Sequence, residues 1–160
     1  MSREYVLSGA NQTITGAVTL AFLNPGTTSG FEVLRAWVSQ TGTTTQAMVR
    51  VQMNTQVSVF PTLVSATPAK TKLSDPISLI VGGTAGAAGT CGINASAEGA
   101  GAKSVILSDA FNNLSGWLWV PTPQETIIMN AGAASGFGLH LPAAPASLTG
   151  WTFGIVYREI

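Results

Sequence analysis

The hydrophobic positions of this chain recur every second residue, which is the period of a β-strand and not of a helix. Between residues 47 and 53, apolar side chains at odd positions alternate with a mostly polar set at even positions. Near the C-terminus, Trp151, Phe153, Ile155 and Tyr157 repeat this pattern. Because successive side chains of a strand point to opposite faces, both segments are predicted to be strands with one face buried.

Shorter runs that are rich in β-branched and aromatic residues predict further strands. They cover residues 4–7, 12–15, 18–23, 31–40, 115–120, 126–130 and 137–141. The run at 31–40 is apolar at both odd and even positions, so we expect it to be buried on both faces. Turns such as Asn24-Pro25-Gly26 separate the runs at short intervals. The pattern predicts one all-β domain over residues 1–160, either a sandwich or a barrel.

Residues 82–102 differ from the rest of the chain, because Gly and Ala supply seven residues each of these 21. A segment with so few large apolar side chains cannot bury a core of its own. Loops of this length in compact domains are usually functional or disordered. We therefore expect a long mobile loop, or an arm that becomes ordered on a neighbouring subunit.

The run at 115–120 carries two tryptophans on one face, Trp117 and Trp119, with Leu118 and Val120 on the other. Three roles remain open for the tryptophans. They can pack in the core, since a buried Trp removes about 150–250 Å² from water, they can form a subunit interface, or they can stack on a sugar. Because both faces are apolar, we expect one face to contact a second sheet and the other to contact a neighbouring subunit.

The low charge of the chain narrows the possible partners. Only 9% of its residues are charged and the formal net charge is zero, whereas an ordinary soluble domain has about 25% charged residues. The scattered basic residues form no patch for DNA or RNA, and the longest apolar runs are far shorter than the roughly 20 residues of a membrane helix. The N-terminal residues also lack the apolar region of a secretory signal. We expect large buried interfaces with other proteins, and no nucleic-acid or membrane partner.

Candidate chemistry is sparse along the sequence. Metal clusters and nucleophilic triads would have to use the single histidine, His140, or the single cysteine, Cys91. Alternation predicts that His140 lies on the polar face of a strand, and Cys91 has no basic neighbour in sequence that would activate it. The glycines after residues 77–81 lack both the spacing and the following helix of a dinucleotide-binding turn. We therefore expect no catalytic, cofactor or metal site.

Two segments carry a resemblance to a known class of proteins. Residues 111–125, with the sequence FNNLSGWLWVPTPQE, and residues 150–160, with the sequence GWTFGIVYREI, resemble small virion structural proteins of tailed bacteriophages. The similarity covers the C-terminal third best and the hairpin at 34–53 more loosely. The general composition is similar to that of capsid decoration, or cement, proteins.

The resemblance implies a β-sandwich of jelly-roll type that forms a homotrimer on the capsid. Its partners would be copies of itself and the major capsid protein, and its location would be the virion, after synthesis in the host cytoplasm. The candidate interface residues are Trp117, Trp119, Trp151 and Tyr157. An alternative is a carbohydrate-binding jelly-roll module that stacks sugars on Trp117, Trp119 or Trp151.

Overall fold

A computed structural model describes residues 3–84 and 86–160, and within these residues the chain forms thirteen β-strands and no helix. The strands are β1 (Arg3–Gln12), β2 (Val18–Leu23), β3 (Phe31–Gln40), β4 (Met48–Val57), β5 (Thr62–Ser65), β6 (Ala69–Lys70), β7 (Val81–Gly82), β8 (Thr90–Ala97), β9 (Lys103–Asn112), β10 (Trp117–Trp119), β11 (Ile127–Met129), β12 (Ser135–Leu141) and β13 (Trp151–Glu159).

The strands form two sheets that pack face to face. The six-stranded sheet has the order β10-β3-β13-β1-β6, and β11 pairs with β3 beside β10. The seven-stranded sheet has the order β5-β8-β2-β12-β4-β9, and β7 runs parallel to β8. All other pairings are antiparallel. The prediction of an all-β sandwich is confirmed.

The core lies between the sheets and uses the faces that the alternation predicts. In β4, Val49, Val51 and Met53 are buried. In β13, the odd-numbered side chains from Trp151 to Tyr157 have no solvent exposure. Burying a large apolar side chain of this kind stabilises a fold by about 1.5–3 kcal/mol, so the two alternating segments supply much of the energy that holds the sheets together.

Three local predictions differ from the structure. The segment at 34–53 is not a hairpin, because β3 pairs with β13 in one sheet and β4 pairs with β12 in the other. The chain passes between layers there, since β3 and β4 bury their apolar faces against the same core from opposite sides. No separate strand forms at 12–15, because β1 ends at Gln12. Strand β3 is buried on one face only, and Arg35 on its other face is exposed.

The expectation of a mobile loop or arm at residues 82–102 is wrong. Strand β8 lies inside this segment and pairs with both β2 and β5, so it is an internal strand of the seven-stranded sheet. The glycines allow close packing here. A Cβ on Gly99 would lie 2.4 Å from the carbonyl oxygen of Phe60, and one on Gly101 would lie 2.1 Å from that of Val57. Glycine is the residue that permits such close backbone approach.

Part of the insertion between β4 and β9, residues 58–102, packs on the outer face of the seven-stranded sheet. The ring of Phe60 packs on Phe22, with 5.7 Å between ring centroids. Phe22 pairs with Gly138 and lies on the side away from the main core. The accessible surface of the chain is 7491 Å², and a compact monomer of 16.4 kDa is expected to have about 7,500 Å². The insertion is therefore packed onto the sandwich and does not extend from it.

The insertion also closes one side of the sandwich. Strand β6 joins the six-stranded sheet beside β1, and β7 joins the seven-stranded sheet beside β8. Residues 71–80 connect these two strands and so cross from one sheet to the other. We call residues 69–82 the insertion edge. The opposite side of the sandwich carries β10 and β11, and we call residues 117–129 the β10–β11 edge.

Candidate interaction surfaces

The two tryptophans of β10 point toward the interior. Trp117 is buried, and Trp119 is partly buried against the core. The indole Nε1 of Trp117 donates a hydrogen bond of 3.0 Å to Oδ2 of Asp109 on β9. This bond joins the two sheets at one side of the sandwich, so the tryptophans of β10 support the fold of the protomer.

The other two candidate interface residues lie fully in the core. The indole of Trp151 donates a 2.9 Å hydrogen bond to the carbonyl oxygen of Ser147. The hydroxyl of Tyr157 lies 2.8 Å from Oγ of Ser78, and burial raises the pKa of Tyr157 far above its ordinary value. With no solvent exposure, these side chains offer no surface to a partner, and the prediction of an interface at Trp151 and Tyr157 is wrong.

The outward face of the β10–β11 edge is aliphatic. Leu118 is 64% exposed, Val120 is 62% exposed and Ile128 is 52% exposed. Leu118 and Val120 form the second apolar face that the sequence predicts for this strand. These aliphatic side chains, and not the tryptophans, are therefore free to make the predicted contact with a neighbouring subunit. The tryptophans of β10 occupy the inward face.

Trp37 extends this surface and was not identified from the sequence. It lies opposite Leu118 on the outer face of the six-stranded sheet and is partly exposed. Its ring occupies the space above Gly154, where a Cβ would come within 2.3 Å of the indole. The guanidinium of Arg35 lies 5.7 Å from its ring centroid. Because β3 is apolar at both odd and even positions, its pattern predicts that Trp37 is buried. The structure instead shows the indole lying flat on the outer face, in the space that Gly154 leaves free.

A second aliphatic surface lies on the insertion edge. Leu73 is 97% exposed, Ile77 is 76% exposed and Leu79 is 56% exposed. Val81 continues this row with 48% exposure, whereas the alternate residue Ile80 is buried. The segment therefore behaves as an extended chain with one face on the core and one aliphatic face in solvent.

The backbone of this row is fixed by the end of β13. Oε1 of Glu159 accepts hydrogen bonds from Oγ of Ser78 and from the amide of Leu79, both at 2.7 Å. Hydrogen bonds to a carboxylate are stronger than those between neutral groups. The exposed side chains are thus displayed on an anchored backbone, which reduces the entropy lost when a partner binds them.

A polar cluster lies beneath the insertion, on the outer face of the seven-stranded sheet. Glu98 accepts hydrogen bonds from Lys103 and, at 2.7 Å, from the hydroxyl of Thr19. Nδ1 of His140 lies 3.4 Å from both Thr19 Oγ1 and Glu98 Oε2. His140 occupies the polar face, as the alternation predicts, but the insertion covers it.

The pKa values of Glu98 and His140 in this cluster are both lowered. Burial alone would raise the pKa of Glu98, but hydrogen bonds from Lys103 and Thr19 outweigh this effect, so its pKa lies below the ordinary value. Burial, with the charge of Lys103, also lowers the pKa of His140. At neutral pH the cluster therefore holds an ionised carboxylate and a neutral imidazole, and it ties Glu98 to the sheet.

The remaining chemical groups add little. The thiol of Cys91 is fully buried, and burial raises its pKa to about 12, which makes it a poor nucleophile. Among residues 3–84 and 86–160, no group of three or more His, Cys, Asp and Glu side chains is placed to hold a metal ion. The described part of the chain also contains no helix long and apolar enough to cross a membrane.

No protein-family model, curated protein or solved structure matches this chain. Its function has to be argued from its own surfaces.

Proposed function

We propose that the protein is a non-enzymatic virion structural protein that works by assembling with copies of itself, as a homotrimeric capsid decoration protein that stabilises a phage head. The observation that carries this proposal is the pair of exposed aliphatic edges, which together hold seven of the large apolar side chains that face solvent. Exposed apolar surface that is contiguous, and not scattered singly, marks protein–protein contact sites. The major capsid protein would be the second partner.

The energy available at these edges suits an assembly role. Burying one large aliphatic side chain contributes about 1.5–3 kcal/mol, and the four of the insertion edge together approach the roughly 4–15 kcal/mol that association costs. One such contact alone is marginal. A closed ring in which every protomer uses both edges doubles the buried surface per subunit and favours a stable oligomer.

We also propose that the sandwich has jelly-roll connectivity. Consecutive strands leave one sheet for the other in eight places, and six of these lie outside the insertion: β1 to β2, β2 to β3, β3 to β4, β9 to β10, β11 to β12, and β12 to β13. Setting the insertion aside, the sheets reduce to β1-β13-β3-β10 and β2-β12-β4-β9, with β11 sharing the edge position of β10 beside β3, which resembles the two four-stranded sheets of double-sheet jelly rolls. Such domains occur in viral capsids and also in lectins, so this connectivity fits the proposed role and the carbohydrate-binding alternative alike.

The carbohydrate-binding alternative loses the residues on which it depended. A sugar-stacking platform needs aromatic faces in solvent, but Trp151 has no exposure and the side chains of Trp117 and Trp119 face inward. The packing of these three side chains against the core supports the assembly proposal, and the glycan array tests the one indole described above on the outer face, that of Trp37.

Co-sedimentation with capsid shells tests the proposal. Purified protein should pellet with expanded shells of the virus that encodes it, saturating at a fixed number of copies per shell, and should bind no sugar on a glycan array. The double variant Ile77→Ser/Leu118→Ser should remain folded and lose binding. Leu148→Ser, which changes an exposed leucine outside both edges, is the matched control. Equal binding by the double variant, or a glycan ligand with no shell binding, would overturn the proposal.

A further inference from the structure

We infer that Asp75 and Glu159 bind a calcium ion at the insertion edge, where the chain crosses between the two sheets. Asp75 lies in the crossing segment and is 6% exposed, and Glu159 is the last residue of β13. Oδ2 of Asp75 and Oε2 of Glu159 are both buried, and neither has a hydrogen-bond partner among the described residues. Because a buried carboxylate without a partner is costly, these two oxygens point to a positively charged ligand.

Both carboxylates act on the same phenol, that of Tyr5. Its hydroxyl donates a 3.1 Å hydrogen bond to the carbonyl oxygen of Pro76, the residue that follows Asp75. Burial raises the pKa of Tyr5, the charges of Glu159 and Asp75 raise it further, and the charge of Arg3 opposes them. The two carboxylates therefore lie within electrostatic range of one hydroxyl group, on one side of the sandwich.

The hydroxyl groups around these oxygens are already used as donors. Oγ of Ser78 donates to Oε1 of Glu159 at 2.7 Å. The hydroxyl of Tyr157, which lies 2.8 Å from Oγ of Ser78, therefore donates to that oxygen. The hydroxyl of Tyr5 donates to a backbone carbonyl. This network leaves no hydroxyl proton for Oε2 of Glu159 or for Oδ2 of Asp75.

No basic side chain neutralises the two carboxylates. The ion pairs in the described part of the chain do not include Asp75 or Glu159. Arg3, Lys70 and Lys72 lie nearby in the fold, but all three are exposed. A bound cation can supply the positive charge that these side chains leave at the surface.

The available ligands select a hard cation. The site offers the oxygens of Asp75 and Glu159 and the carbonyl oxygen of Pro76, which keeps a second lone pair. These are two acidic ligands, and not a group of three or more as excluded above, so water completes the shell. Ca²⁺ accepts carboxylate, carbonyl and water oxygens in irregular geometry, whereas Mg²⁺ needs near-ideal octahedral geometry and Zn²⁺ prefers nitrogen and sulfur. The ion fastens the crossing segment to the end of β13.

Calcium titration of the purified protein, after treatment with EDTA, tests the inference. Calorimetry should show one Ca²⁺ site per chain, with Mg²⁺ binding at least tenfold more weakly. Excess Ca²⁺ should raise the melting temperature by several degrees, because a ligand that binds only the folded chain stabilises it. Tb³⁺ in place of Ca²⁺ should give luminescence when it is excited through the nearby tyrosines, Tyr5 and Tyr157.

Two variants that keep the side-chain shape remove the charge of the site. Asp75→Asn and Glu159→Gln should each raise the dissociation constant for Ca²⁺ at least tenfold and abolish the shift in melting temperature. Glu125→Gln, which changes an exposed carboxylate elsewhere, should bind Ca²⁺ like wild type. Equal binding by Asp75→Asn and wild type would overturn the inference.

The wild-type titration decides the inference even where a variant does not fold. A wild type with no calcium heat, no sensitised terbium emission and the same melting temperature in Ca²⁺ and in EDTA would also overturn it. These measurements count sites per chain and do not depend on the oligomeric state, so their failure would leave the proposed function intact.

Discussion

Trp151 is the side chain whose truncation should affect stability most. It is fully buried at the start of β13, and its ring meets Phe111 edge-on with 6.5 Å between centroids. Truncating a buried Trp to Ala removes its contacts and leaves a cavity, which costs about 3–5 kcal/mol. We therefore expect Trp151→Ala to lower the free energy of unfolding by that amount in urea titrations.

Leu118→Ser serves as the comparison, because Leu118 faces solvent in the protomer. Its unfolding free energy should stay within about 0.5 kcal/mol of wild type when measured on the monomer. If Leu118→Ser were as destabilising as Trp151→Ala, then Leu118 would belong to the core and the β10–β11 edge would not be available for docking.

The reactivity of the Cys91 thiol also tests whether a residue assigned to the interior is buried. Its buried thiol, with a pKa raised to about 12 by burial, should react with a thiol reagent at neutral pH only when the chain opens. We expect no modification of the native protein within minutes and one equivalent in urea. Rapid labelling of the native protein would show that strand β8 is not held as described.

At the scale of elements, the insertion should be part of the folding unit. Gly101→Ala places a Cβ 2.1 Å from the carbonyl oxygen of Val57, so the turn between β8 and β9 has to shift. We expect a loss of about 1–3 kcal/mol, as for other overpacked sites. Gly16→Ala is the matched control, because nothing lies within 4 Å of its Cβ position.

The two glycine variants decide whether the Gly/Ala segment is packed. A thermal melt should place Gly101→Ala several degrees below wild type and Gly16→Ala at or slightly above it. Deleting residues 84–101 should prevent folding, since it removes β8 from the interior of its sheet. A deletion variant that melts like wild type would restore the view of this segment as a mobile arm.

The Glu98 cluster makes the attachment of this turn dependent on pH. Because the pKa of His140 is lowered in the folded protein, the unfolded chain binds a proton at this residue at a higher pH than the folded chain does. The stability that the neutral imidazole contributes is therefore lost as the pH falls below about 6.5. The lowered pKa of Glu98 means that its contribution is present above about 4.3 and is lost at lower pH. Stability should therefore decrease on acidification from pH 7.

Urea midpoints measured at a series of pH values test this cluster. Glu98→Gln should lower the stability at pH 7 and flatten its decrease below about pH 4.3. His140→Asn should flatten the decrease between pH 7 and 5. Glu125→Gln, which changes an exposed carboxylate, should leave the profile unchanged. Profiles of the first two variants that run parallel to wild type would show that the cluster does not carry the pH dependence.

The elements that the sequence predicts well are those with one face on the core. Strands such as β4 and β13 alternate because one parity is buried by the opposite sheet. Strand β9 carries no such pattern, since most of its residues are exposed. Strand β8 was missed because it is poor in large apolar residues and its glycine fits closely against β5: a Cβ on Gly92 would lie 2.6 Å from the Cβ of Leu63, which comes 29 residues earlier in the chain. No local pattern encodes such a contact.

At the scale of the molecule, the sequence predicts apolar surface but not where it faces. Residues 77–81 have the composition of a buried strand, and only the crossing between the two sheets turns Ile77 and Leu79 outward. In the same way, the sequence predicts the tryptophans of β10 as interface residues, yet the sandwich places Leu118 and Val120 on the outside. Which apolar face stays exposed to solvent is determined by how the two sheets pack together, and not by the local sequence.

Light scattering on the purified chain is the most direct test of self-assembly through these edges. At micromolar concentration, wild type should have three times the 16.4 kDa mass of one chain, and Ile77→Ser/Leu118→Ser should have the mass of one chain with an unchanged circular dichroism spectrum. A wild-type protein that keeps the mass of a single chain throughout the micromolar range would contradict the account.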